Sequence, residues 1–261
     1  MTKSNLNRLA IVALASTGFS FPATAMPNLV QNGSFESTSL ASPGGTVCAP
    51  GSSSCVSRVT NWSSQCNPNI GAICDHNSLI DLVSSGSNGS GFNNHNALWG
   101  PVPDSPDGGN FIAGDGDPFY ATPIWQSVSG LNVGNHYTLS FYQAAAQQHG
   151  LNGATTEQWA VTFGGVTQYT SLQHNPSHGF QPWTQQTLDF VATSSTQVLN
   201  FLAVGTPSGL PPISLLDGVS LTEVSQVGGA PEPSSWMMML AGFGLFGAAS
   251  RRRRVRASLQ A

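Results

Sequence analysis

Apolar and polar positions alternate with a period of two through much of the chain's second half. Over residues 136–142, Tyr137, Leu139 and Phe141 fall on one side, and over 158–163 so do Trp159, Val161 and Phe163, with Gly164-Gly165 ending the run. Residues 187–191, 197–202 and 214–221 repeat the pattern. Successive side chains of a strand point to opposite faces, so this spacing predicts half-buried β-strands. The runs are short and separated by Gly, Pro and Asn, which supply turns. With only 8 % charged residues, long solvent-facing helices would lack ion pairs. About two hundred residues of this kind predict an all-β fold, one β-sandwich with a substantial core.

The two ends follow a different pattern. Lys3 and Arg8 precede an apolar stretch over 9–15, and Ala23-Thr24-Ala25 supplies the small residues of a signal-peptidase site. Residues 1–25 are therefore expected to be a signal peptide, cleaved before Met26. At the other end, Pro231-Glu232-Pro233 precedes an apolar run over 236–249 and the arginines 251–254 and 256. As a helix that run would reach about 21 Å at ~1.5 Å per residue, or about 27 Å with its flanks from 233 to 250, against a hydrocarbon core of about 30 Å. It predicts a marginal transmembrane helix over 234–250, its arginines snorkelling on the cytoplasmic side and the residues before Pro231 outside. The string 242–247 is also a literal G-x-G-x-x-G, but no strand precedes it and no acidic residue follows twenty positions on, so no nucleotide site is expected.

This tail resembles a PEP-CTERM sorting domain. The resemblance implies that Pro231, Glu232 and Pro233 form a recognition motif for an exosortase, a membrane protease-transpeptidase of Gram-negative bacteria that make extracellular polysaccharide. It implies export across the inner membrane, a membrane-held precursor, and a final place in the cell envelope or extracellular matrix. The expected organisation is a signal peptide over 1–25, an ectodomain over 26–227, and a sorting tail over 228–261 whose basic cluster is 251–256.

Charge narrows the function of the ectodomain. Residues 26–230 hold one basic residue, Arg58, against eleven acidic ones, a formal charge of −10. Such a surface repels phosphate backbones, so no nucleic-acid partner is expected. Acids without basic partners need solvent, hydrogen bonds or a cation, and oxygen ligands suit calcium. Cys48, Cys55, Cys66 and Cys74 are an even set within one loop-rich stretch of an exported chain, which predicts two disulfides stapling the 48–74 insertion. Three connectivities are open, and the short loops favour Cys48 with Cys55 and Cys66 with Cys74. Zinc is the alternative, although the spacings are not those of structural zinc modules.

Residues 28–36 (Asn-Leu-Val-Gln-Asn-Gly-Ser-Phe-Glu), Asn61-Trp62, the stretch 126–141 and residues 215–221 together resemble the galactose-binding-like jelly roll. That superfamily includes many carbohydrate-binding modules. The resemblance implies a structural calcium held by Glu36 and Asp217, with Asp107 and Asn110 as further oxygen ligands. Asp115-Gly116-Asp117 lacks the continuation of an EF-hand and is expected to be a solvated turn. His174 and His178 stand four apart, but Pro176 between them argues against the helix that metal spacing needs.

No G-x-S-x-G elbow or H-E-x-x-H helix occurs, and the chain is read as non-catalytic with no catalytic cofactor. Carbohydrate modules stack sugar rings on exposed aromatics and bond hydroxyls with amides and carboxylates. Trp99, Tyr120, Trp125 and Trp183 lie in loops or strand margins and are the candidate platforms, with Gln143, Gln147 and Gln148 as candidate polar contacts. The function expected is a surface or matrix protein associated with exopolysaccharide. The alternatives are a protein-interaction module without a sugar site, or a polysaccharide-active hydrolase or lyase.

Overall fold

The computed structural model describes residues 26–38, 45–47, 59–65, 80–87, 89 and 97–224. The signal peptide, the four cysteines and the sorting tail with its expected transmembrane helix lie outside the described residues. Among the described residues there are twelve strands: β1 Gly45–Thr46, β2 Ser63–Ser64, β3 Ile80–Val83, β4 Phe111–Asp115, β5 Pro123–Ser129, β6 His136–Gln147, β7 Thr155–Phe163, β8 Val166–Tyr169, β9 Gln173–Asn175, β10 Phe180–Val191, β11 Thr196–Thr206 and β12 Pro212–Glu223. The first sheet runs β1-β3-β4-β12-β6-β10; the second runs β2-β5-β11-β7-β8, with β9 pairing β7. All the ladders are antiparallel. From β4 to β7 and again from β9 to β12 the chain switches sheet at every connection, so the sandwich is a jelly roll.

The alternation seen in the sequence places the core. Tyr137, Leu139 and Phe141 of β6 face Trp159, Val161 and Phe163 of β7 and Leu199, Phe201 and Ala203 of β11, all buried between the sheets. Gly164 and Gly165, both at positive φ, make the two-residue turn from β7 to β8, for which residues with a Cβ are poorly suited. The N-terminal segment seals one edge: Leu29 N–H donates to Leu221 O (2.9 Å) and Val219 N–H to Gly33 O (3.0 Å). Trp62 closes over Phe35, ring centroids 5.2 Å apart.

A second apolar cluster lies on the outer side of the first sheet. Phe111, Ala113, Ala144, Ala146, Ile213 and Leu215 point away from the main core and are covered by Leu98 and Val102. The covering segment is pinned by Trp99 N–H to Gln147 O (2.8 Å) and by His149 N–H to Ala97 O (2.7 Å). One outer face of the sandwich is thus capped at this end, while the outer face of the second sheet carries the exposed Tyr169 and Val198.

Candidate functional site

The strand registers of the second sheet lay out its outer face. Asn200 of β11 stands opposite Trp125 of β5 on one side and Thr162 of β7 on the other; Thr162 in turn faces Thr167 of β8. The neighbouring row is Pro123, Leu202, Ala160 and Tyr169. These positions alternate with the core residues Ile124, Val161 and Phe201, which is why they point outward. Between the rows lies a hollow of about 460 Å³, floored by Ala160 and Leu202, edged by Thr162, Thr167 and Asn200, and walled by Tyr169. Ala160 is small enough to leave the depression, and Tyr169 is 59 % exposed beside it. Three strand spacings of about 4.8 Å separate β5 from β8, so Trp125 and Tyr169 stand on two sides of a face ~14 Å wide.

The expected platforms fall in four different settings. Trp125 is half-buried on this outer face, next to Asn200. Tyr120 meets Phe119 edge to face at 4.9 Å, one residue before Ala121, which lines the hollow. Trp183 instead packs against Phe111 at 5.4 Å and donates its indole N–H to Pro103 O (3.0 Å), tying β10 to the capping segment. Trp99 donates to Leu151 O (2.9 Å) and lies about 4 Å from the rings of both His149 and His178. Gln143 and Gln147 are buried rather than offered to solvent. Gln147 bonds Gly153 O (2.9 Å) and receives His178 N–H (2.7 Å). Tyr169, Asn200, Thr162 and Thr167 were not foreseen. For Thr162, Thr167 and Tyr169 the signal is the return arm after Gly164-Gly165, whose partner on β7 a hairpin register identifies, whereas Asn200 belongs to β11 and is placed by that strand's pairing.

The carboxylates gather at the far side of the first sheet. Asn110 donates its backbone N–H (2.5 Å) and side-chain amide (3.3 Å) to Glu36. Gly109, at φ +75°, permits the approach, since a Cβ there would lie 1.9 Å from Glu36 Oε1. Asp217 accepts a hydrogen bond from the Ser105 hydroxyl on one oxygen, while its other oxygen is buried without a partner. Burial, offset in part by Ser105 and the Gly218 N–H, and reinforced by the charges of Asp107 and Glu36, pushes the Asp217 carboxyl up to about 8. Glu36, Asp107, Asn110 and Asp217 therefore share one corner. Among the described residues no three His, Cys, Asp or Glu side chains are gathered into a metal-binding group. The orphaned Asp217 oxygen and the all-oxygen donor set nonetheless fit a hard cation.

Asp115-Gly116-Asp117 is not a solvated turn. Both acids are buried, because the segment is roofed by the β11–β12 connection. Asp117 accepts from Phe119 N–H (2.9 Å), Gly209 N–H (2.6 Å) and the Ser208 hydroxyl (3.0 Å). Burial pushes Asp117 up, but these donors outweigh it and hold its pKa below the usual carboxylate value. Asp115 is pushed up to about 7 by burial, eased by the Asp117 N–H and aggravated by the Asp117 charge. A carboxyl raised in the fold contributes stability that is complete below its unfolded pKa near 3.8 and is lost as pH rises through about 7. Asp115→Asn should match the parent's melting temperature near pH 4 and exceed it at pH 8. The recovered stability is at most about 4 kcal/mol, the full difference between 3.8 and about 7. Parallel melting curves for the two proteins from pH 4 to 8 would refute the assignment.

Residues 230–254 carry the PEP-CTERM protein-sorting motif. No curated protein matches the chain in sequence. Among solved structures, TmCBM61 in complex with β-1,4-galactotriose is similar at 12 % identity and a TM-score of 0.40, over 76 % of this chain and 99 % of that one. A CBM4 structure is similar at 14 % identity and a TM-score of 0.36, over 74 % and 99 %. The CBM22-2 xylan-binding domain of Paenibacillus barcinonensis Xyn10C is similar at 11 % identity and a TM-score of 0.34, over 64 % and 94 %.

Proposed function

We propose that this is an exported, non-catalytic surface or matrix protein, delivered to an exosortase by its tail, whose second sheet binds a neutral polysaccharide on its outer face. The observation that carries the reading is the face itself. Trp125 and Tyr169 flank Asn200, Thr162 and Thr167 over a shallow apolar floor. An aromatic ring stacks on the apolar side of a pyranose, and amide and hydroxyl groups bond its hydroxyls. A face open over ~14 Å suits a segment of polymer rather than a single enclosed sugar.

Charge selects the polymer. No Lys or Arg occurs among the described residues, and residues 26–230 carry a formal charge of −10. An acidic polymer would be repelled and would find no basic partner on this face. Affinity electrophoresis through gels containing neutral or acidic polysaccharides tests this directly. The protein should be retarded by at least one neutral polymer and by none of the acidic ones, and passage unretarded through every gel would overturn the reading.

At the opposite side of the sandwich, Glu36, Asp107, Asn110 and Asp217 are the residues that would hold a structural calcium, tying the N-terminal segment to β12. Added calcium is expected to raise the melting temperature of the parent at pH 7.5, and Asp217→Asn should reduce the rise. An unchanged melting temperature across a calcium titration of the parent removes the site.

A further inference from the structure

We infer that the sandwich contains a second, internal cation site, lined by Glu157, Thr155, Asn175 and Gln143, between the sheets and beneath Trp159. The first two lie on the inward face of β7, in line with Trp159, Val161 and Phe163. Asn175 of β9 stands opposite Thr155, and Gln173 stands opposite Glu157. Gln143 reaches across from β6, donating its amide to Gln173 Oε1 and to Ser171 O, both at 3.2 Å. The four residues therefore meet at one end of the interior, on the side of the first sheet away from Asp217.

Each is at most 3 % exposed. Yet the Asn175 and Gln143 carbonyls have no hydrogen-bond partner, and the Glu157 carboxylate has only the neighbouring Thr155 hydroxyl to bond it. The amide orientations are not interchangeable. The Gln143 NH₂ is aimed at two acceptors, and the Asn175 NH₂ donates to Gly179 O (3.1 Å), so in each case the oxygen is the end left over. These oxygens are buried, and no Lys or Arg among the described residues can answer them.

Leaving buried acceptors unpaired costs about 1–3 kcal/mol each. Burial pushes the Glu157 pKa up to about 8, offset in part by the Thr155 hydroxyl, and protonation would leave only the Glu157 and Thr155 O–H groups as donors to this set. A hard cation would answer the carboxylate and the unpaired carbonyls together, and one carboxylate with amide carbonyls and a hydroxyl is an ordinary oxygen set for such an ion. The set contains a single carboxylate and depends on its neutral oxygens, so it is not a cluster of acids.

Asp217→Asn provides the background that isolates this site from the calcium corner. The full chain, purified in mild detergent, is stripped with chelator and dialysed into choline chloride. Calcium chloride or potassium chloride is then added at matched ionic strength, with bound ion counted by mass spectrometry and unfolding followed by melting. Asp217→Asn is expected to retain about one ion per chain and a cation-dependent rise in melting temperature, and Glu157→Gln in the same background should lose both. The salt that produces the rise identifies the ion as calcium or an alkali metal. Should the double variant fail to fold, Asn175→Ala takes its place and is expected to weaken retention at least tenfold. A folded Asp217→Asn protein that binds no ion from either salt overturns the inference, as does ion binding unaffected by both the Glu157 and Asn175 changes.

Discussion

Removal of residues 225–261 is expected to shift the protein from the membrane fraction to the soluble exported fraction almost completely. The apolar run 236–249 is the longest such segment after the signal peptide, and five of the eight basic residues follow it. Burying the eleven apolar side chains of this run in lipid would outweigh the affinity of any single exposed patch on an acidic sandwich that anionic lipid would repel. The PEP-CTERM motif lies wholly within the deleted segment. Replacing Pro231, Glu232 and Pro233 with alanine should act differently, retaining the protein at the membrane at precursor size. Fractionation and immunoblotting of the three strains separate these outcomes; truncated protein still sedimenting with membranes would contradict the assignment of the anchor.

Trp159→Ala should produce the largest loss of stability of any single core change, about 3–5 kcal/mol for removal of a buried tryptophan. Trp159 is fully buried, meets Phe201 edge to face at 6.0 Å, and donates its indole N–H to Leu215 O at 3.1 Å. It bridges the two sheets, so its removal both opens a cavity and takes one hydrogen-bond donor from a carbonyl on β12. At about 2–4 °C per kcal/mol for a domain of this size, the melting temperature should fall by roughly 6–20 °C. Trp159→Phe, which keeps most of the volume, should fall by clearly less. Equal losses in both variants would mean that the indole hydrogen bond, rather than the volume, carries the contribution.

The strands most easily read in the sequence are those whose inward residues are all apolar. Tyr137, Leu139 and Phe141 announced β6, and Trp159, Val161 and Phe163 announced β7. The first part of β7 was hidden because Thr155 and Glu157 are polar and yet point inward. Strand β10 was legible only at its end, since its first half lies over the minor apolar cluster and exposes Thr184 and Gln185. Asp115 and Asp117 were misread for a related reason. Glycines and acids signal a turn locally, whereas their burial depends on Ser208 and Gly209, about ninety residues away.

The candidate face shows the same division. An aromatic in a loop is identifiable from sequence, but whether it packs or faces solvent depends on what crosses over it. Trp183 is covered by the segment carrying Pro103, while Tyr169 is left open by its edge-strand position. The corner of Glu36, Asp107, Asn110 and Asp217 was anticipated from short motifs whose order along the chain suits an N-terminal segment paired with β12. Its contact with Ser105 was not, because nothing local marks that serine.

Calorimetric titration of the protein with size-defined oligosaccharides from a neutral polymer that retards it tests the central claim most directly. The parent should bind, with affinity rising as the oligosaccharide lengthens to span the face. The Trp125→Ala, Tyr169→Ala double variant should lose at least tenfold in affinity, about 1.4 kcal/mol, while melting within a few degrees of the parent. Trp183→Ala, altered on the capped side, should retain affinity wherever it remains folded. Undiminished affinity in the folded double variant would contradict the assignment of the second sheet's outer face as the polysaccharide-binding surface.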